Sequence, residues 1–378
     1  MSHNGRYVVH KLVIFCSREF VSPRSTPAFQ FHGNFLLAGC FRKKKHPGIS
    51  FLVCSSCEQI HQANTGNIFF SPTIMFGYSA ADTHLCPSRT ITGKFELIKF
   101  IAVGNKGYII SPTKTQQVGT NDWNAIDYGN GRYVVVGNKG SIAYSSDGTN
   151  WTMITVGKEN IYDVKFLNGR FAAVFWGSTV GYSTDGINWT THKSDVPIGT
   201  NGINWANGRY VTVGESATIS YSLDGINWTT NKIGQITQYY STVWKRVAYG
   251  NSRWVAVANN GELAYSIDGI NWILLFKLNE SYSHLNDVKF LNGRFILAGS
   301  GQGTTRVDQS TNGEDWSFVS PTNFDFFMPS SISFKNNTFI AVGSWGKYSI
   351  SSDGINWTNP EEVKNKITEE LNGICFMQ

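Results

Sequence analysis

A chain of 378 residues, 41% of them apolar, is long enough to bury a sizeable core, and 38 glycines against 10 prolines with 14% aromatics point to short strands and tight turns rather than helices or disorder. No stretch approaches 18 consecutive apolar residues, which excludes a membrane-spanning helix. The net charge of +6 is uneven: residues 1–95 hold 10 Lys and Arg against 3 Asp and Glu, and the remainder holds 22 against 23. Basicity therefore belongs to the first quarter alone, and no nucleic-acid partner is expected of the rest.

The first quarter differs in other ways. It carries five of the six cysteines (Cys16, Cys40, Cys54, Cys57, Cys86), six of the eight histidines and none of the 12 tryptophans. These shifts set a boundary near residue 95, between an atypical segment (1–95) and a regular part (96–378). The opening MSHNGRYVVHKLVIF is no secretory signal, because His10 and Lys11 break the apolar run and no small-residue cleavage site follows. A cytoplasmic or virion-associated location is expected over classical secretion. Cys54 and Cys57 with His61 have metal-like spacing, and Cys40, His84 or Cys86 could add a ligand. Yet Ser55-Ser56-Cys57 sits where the repeat described below carries Ser-Ser-Asp, so Cys57 reads as an eroded turn residue, and neither metal nor cofactor is expected. Arg42-Lys43-Lys44-Lys45 reads as an exposed turn, with no aromatic interleaving to suggest nucleic acid. Asn4–Val9, Phe31–Gly39 and Phe76–Asp82 are faint copies of the same repeat.

From residue 122 onward the repeat is plain. SSDGTNW (145–151), STDGINW (183–189), SLDGINW (222–228), SIDGINW (266–272), STNGEDW (310–316) and SSDGINW (351–357) recur at gaps of 38, 39, 44, 44 and 41 residues. That period signifies a propeller or solenoid. An upstream hairpin landmark (Asn130, Asn168, Asn207, Asn251, Asn292, Asn336) precedes the third box position by 17 residues in five units and 20 in the fifth. Asn-Gly and Asp-Gly supply the positive φ that two-residue hairpin turns need. In the first full unit, strands over Ala125–Tyr128, Arg132–Gly137 and Ser141–Ser145 and one opened by Asn150-Trp151-Thr152 make a four-stranded propeller blade. Within the box, Asp reads as a turn brace bonding nearby backbone N–H groups, and Trp as a plug between blades.

The C-terminal Leu371–Phe376 matches Leu285–Phe290, the first strand of a unit, and has no blade of its own. Phe100–Ser111 matches Val134–Ser145 and lacks a first strand. Pairing them closes a ring of seven blades over 96–378; pairing the tail with Asn4–Val9 instead would draw the first quarter into a larger ring. Seven blades is the expected count.

The boxes resemble the Asp-box (BNR) repeat of sialidase-like β-propellers, in a variant one residue shorter that is similar to repeats of bacterial and phage-associated proteins. The resemblance covers about 122–358. It implies the fold and leaves activity open, because such repeats occur in glycosidases, lectins, sorting receptors and assembly factors. A sialidase requires converging arginines, a Tyr–Glu pair and an acidic Asp. Here Arg132, Arg170, Arg209, Arg253 and Arg294 recur at one repeat position, on blade surfaces around the ring, and only Arg246 and Arg306 fall outside it. Acids outside the repeat (Glu159, Asp163, Glu215, Asp287) show no pairing by spacing and read as solvated charges on strand ends.

The connections between blades vary and carry aromatics, and rigid rings with such loops serve recognition. The expected function is non-catalytic recognition of a glycan or protein surface, as in phage or bacterial attachment, through Trp123, Tyr162, Trp244, His284 and Phe326. The rival is a glycoside hydrolase or lyase; two carboxylates in a deep cleft would favour it.

Overall fold

The computed structural model describes residues 98–235, 241–275, 283–301, 304–319, 327–363 and 367–378, with the short strands Cys16–Ser17, Ala28–Phe31 and Phe35–Ala38. The chain forms two compact units, 1–98 and 99–378. In the first, the three short strands make an antiparallel sheet, with Phe31 opposite Phe35 across a hairpin.

The second unit is a seven-bladed β-propeller of four-stranded antiparallel sheets. Blade 1 is composite. Its inner strand is Leu371–Phe376, followed outward by Phe100–Gly104, Tyr108–Ser111 and Lys114–Gln117. Blades 2 to 7 begin with inner strands Trp123–Gly129, Ile161–Leu167, Thr200–Ala206, Trp244–Gly250, Ser283–Leu291 and Pro329–Lys335, and each runs outward in sequence order. Every inner strand contacts the next, and Leu371–Phe376 touches both Pro329–Lys335 and Trp123–Gly129, so the ring closes. The tail pairs with Phe100–Gly104, Phe376 opposite Phe100 and Ile374 opposite Ala102.

Local rules build each blade. At the first hairpin Asn130 and Gly131 adopt φ of 47° and 75°, the mirror-image turn that matches strand twist. A bulge near the start of every inner strand shifts its register. There the second strand crosses the inner one so closely that a Cβ on Gly104 or Gly343 would lie 2.1 or 1.9 Å from the carbonyl oxygen of Glu370 or Met328. The core lies between blades. Val134, Val136 and Ile142 of blade 2, for example, pack with Val164, Phe171 and Ala173 of blade 3. Blade 6 stands taller than the rest, with second and third strands over Arg294–Gly301 and Thr304–Ser310. This is where the 20-residue offset goes.

Candidate functional site

The boxes are consumed by the fold. Asp147 Oδ1 accepts the backbone N–H groups of Thr149 and Asn150, each at 2.8 Å, and the Ser145 hydroxyl at 2.9 Å, while Oδ2 accepts Asn150 Nδ2 at 2.7 Å. The same set recurs around Asp185, Asp224, Asp268 and Asp353. Asn312 substitutes for Asp in blade 6 and keeps the backbone bonds at 2.9 Å. Those N–H groups hold Asp147 well below the ordinary carboxylate range; at Asp268, burial opposes the shift and the N–H groups of Asn271 and Ile270 still bring it to about 2. Trp228 and Trp357 are buried and donate Nε1–H to the box glycine carbonyl.

The repeated arginines do more than coat a surface. Each reaches across to the box of the next blade: Arg132 to the Asp185 carbonyl, Arg170 to that of Asp224 at 3.2 Å, Arg209 to that of Asp268, Arg253 to the Glu314 carboxylate and Arg294 to the Asp353 carbonyl. Four of the guanidinium groups also lie over a tyrosine of their own blade, Arg170 at 3.8 Å from the Tyr182 ring centre. Their even spacing around the ring is the signal that they belong to the blades and not to one ligand.

Chemistry outside the repeat converges on the central channel. Asp163, Lys165, Arg246, Asp287 and Lys289 line it together, from blades 3, 5 and 6. The expectation of solvated acids is corrected here: Asp163 and Asp287 are buried. Each serves the neighbouring inner strand, Asp163 accepting Ile203 N–H and Asp287 accepting Ile332 N–H, both at 3.2 Å. Asp127 likewise accepts Phe166 N–H at 2.7 Å. Arg246 donates to the carbonyls of Asn201 and Lys245 at 2.9 Å and of Tyr162 at 3.4 Å, bolting blades 3, 4 and 5 together. Despite burial, Lys289, Lys165 and Arg246 hold the Asp287 carboxyl below its ordinary value. Burial pushes Lys289 down, whereas at Lys165 the carboxylates of Asp163, Asp127 and Asp287 outweigh burial and raise it. Both acids are thus spent as acceptors for backbone N–H groups, an arrangement unlike a free acid facing a free base.

Of the five expected recognition residues the structure describes four, and two of these are spent on packing. Trp123 and Trp244 are fully buried and belong to the cores between blades 1 and 2 and between blades 4 and 5. Both open an inner strand at the bulge, and Trp244 Nε1 donates to the Ile233 carbonyl at 2.8 Å. Burial removes both indoles from any recognition face, and Trp244 does have a counterpart in the repeat. Tyr162 is half-buried, edge-on to Trp176 at 5.9 Å. His284 is exposed, just before the bulge of blade 6. Phe326 lies outside the described residues, as do Arg42–Lys45 and the cysteine and histidine cluster around Cys54. Among the described residues no group of acids, histidines and cysteines could hold a metal ion, and no helix is long and apolar enough to cross a membrane.

No family model and no curated protein matches the chain. Solved structures do. The chain is similar to a catalytically inactive virginiamycin B lyase variant from Staphylococcus aureus with quinupristin (11% identity over 74% of this chain and 93% of that one, TM-score 0.60). It is similar also to selenomethionine-substituted virginiamycin B lyase from the same organism (10%, 65% and 85%, TM-score 0.56) and to YCF48 from Cyanidioschyzon merolae (15%, 65% and 87%, TM-score 0.51). At these identities the likeness is one of fold alone.

One aromatic escaped the sequence reading. Trp345 is 58% exposed, on the turn between the second and third strands of blade 7, with φ of 61°. Lys106 and Lys139 occupy the same turn position in blades 1 and 2, so only the departure of Ser-Trp-Gly from Asn-Lys-Gly could have revealed it. Strand direction puts this turn on the face where blade connections enter. Met328, 44% exposed, stands beside it, its N–H donating to Ser344 Oγ and its carbonyl accepting Ser344 N–H. His284 holds in blade 6 the place that Met328 holds in blade 7, one residue before the bulge.

Proposed function

We propose that the protein is a non-catalytic recognition propeller, of Asp-box type, that binds a glycan or protein surface through its connection face, as in phage or bacterial attachment. The observation that carries this reading is the exposed indole of Trp345 beside Met328, on the face that also presents His284, in a ring whose other tryptophans are all buried or half-buried. A bulky residue at positive φ is strained, and a mostly exposed Trp gains little from the fold in return. Aromatic side chains so placed are the ones that dominate recognition surfaces. The acids of the channel support a binding role over hydrolysis, since Asp163 and Asp287 already accept backbone N–H groups.

Trp345→Lys tests this, because Lys already occupies the turn in two other blades and keeps the fold. Glycan and peptide arrays probed with wild type should give ligands that the variant loses. Turnover in a general glycosidase assay, or array binding indifferent to Trp345→Lys, would overturn the reading.

A further inference from the structure

The channel contains a cavity of about 210 Å³ whose wall combines apolar inner-strand residues of blades 5 and 6 with the polar side chains of Lys165, Asn204, Arg246, Tyr249, Asp287 and Lys289 from blades 3 to 6. Three cations face it against one carboxylate. Asp163 and Asp127 lie near, but each has turned an oxygen to a backbone N–H of the next blade. Lys289 is occupied, 3.5 Å from Asp287 Oδ2 and 3.3 Å from Ser331 Oγ. Lys165 makes no hydrogen bond or ion pair with a described residue, although it lines both this cavity and the narrower part of the channel. The three carbonyl contacts of Arg246 leave N–H donors of its fork over. Asp163, Asp127 and Asp287 offset the charge of Lys165 from a distance, but an ammonium carries three N–H donors, and here none of them has an acceptor among the described residues.

We propose that this cavity binds a small anion through a carboxylate or phosphate group, held between Lys165, Arg246 and Lys289. Charge-assisted bonds to such groups are short and strong, and a guanidinium fork beside an ammonium suits their geometry. The cavity is smaller than the roughly 300–1,000 Å³ of drug-sized sites, so the ligand is a small metabolite-sized anion or the anionic end of a longer one. The site is separate from the connection face, so loss of array binding in Trp345→Lys leaves it untouched.

The test uses the full chain and two probes, inorganic phosphate and succinate, titrated calorimetrically at constant ionic strength. Saturable binding of at least one is expected, and which one binds tells phosphate from carboxylate recognition. Lys165→Gln should weaken it about tenfold or more, while Lys139→Gln, on an exposed turn, should leave it unchanged. Lysine side-chain NMR of the wild type is the second measurement, should Lys165→Gln fail to fold: the probe must shift Lys165 and Lys289 before Lys106 and Lys139. Absence of saturable binding, equal affinity in Lys165→Gln, or shifts confined to surface lysines overturns the proposal.

Discussion

Two kinds of blade interface hold this ring. Five interfaces, from blade 2 to blade 7, are latched by an arginine of one blade on the box of the next. The two that flank blade 1 are not. Blade 7 offers Thr338 at the arginine position, and blade 1 has Ser111-Pro112-Thr113 where a box would stand. On its other side, Lys99 replaces the arginine, and Lys114 and Gln116 instead reach the Thr149 carbonyl. The side chain and its acceptor are lost together at the blade 7 interface, which shows the latch to be a two-part device. What holds blade 1 is the tail. Lys335 Nζ donates to the Met377 carbonyl at 2.9 Å, the Gln378 N–H to the Tyr133 hydroxyl at 2.6 Å, and Asn372 Nδ2 to the Trp123 carbonyl at 2.8 Å.

If that division of labour is right, removing Leu371–Gln378 should have the largest effect. It strips three buried side chains, Leu371, Ile374 and Phe376, each stabilising by about 1.5–3 kcal/mol, and bares the ladder edge of Phe100–Gly104. Calorimetry should show Tm falling by roughly 10 °C or more; an unchanged Tm would mean that the tail does not close the ring. Next come Trp228→Ala and Trp244→Ala, each costing about 3–5 kcal/mol in urea unfolding. Their similarity is the point, since a free energy near zero for Trp244→Ala would return that indole to the surface. Arg209→Ala should cost less, about 1–2 kcal/mol, whereas Thr338→Arg should gain nothing, for lack of a box to receive it. A stabilising Thr338→Arg would show that the guanidinium works without its acceptor.

The smallest effect concerns pH. The box carboxylates are depressed in the folded chain, so the unfolded chain binds more protons in acid. Their contribution is complete above the ordinary carboxylate range and is lost as pH falls from about 5 towards 2. Asp224→Asn, which copies Asn312 of blade 6, should change stability at pH 7 by less than about 1 kcal/mol and flatten the acid limb of the stability curve. An unaltered acid limb would place the acid sensitivity elsewhere.

The ring was legible because its signals are local. Asn130-Gly131 fixes the first hairpin, Asp147-Gly148 fixes the last turn of the blade, and the tail shares Leu, Asn and Phe with Leu285–Phe290 at matching positions. The site was less so. Trp123 and Trp244 follow connections of different length, which hides that both open an inner strand at a bulge, a position that is always core. Asp163 and Asp287 carry no pairing in their spacing, because their partners are backbone groups about 40 residues away in the next blade. Arg132 and its counterparts were visible as a repeat, but their acceptors, the box carbonyls one blade on, belong to three-dimensional adjacency.

The composite blade also dictates an order of events. Every box completes its hydrogen bonds within seven residues, so hairpins can form as the chain leaves the ribosome. Phe100–Gly104, made early, must keep an open edge until residues 371–376 have been synthesised about 270 residues later. During that interval the strand offers a complementary slot to the tail of any neighbouring copy. Crowded polysomes should therefore favour strand-exchanged dimers, and dilution during refolding should favour the self-closed monomer.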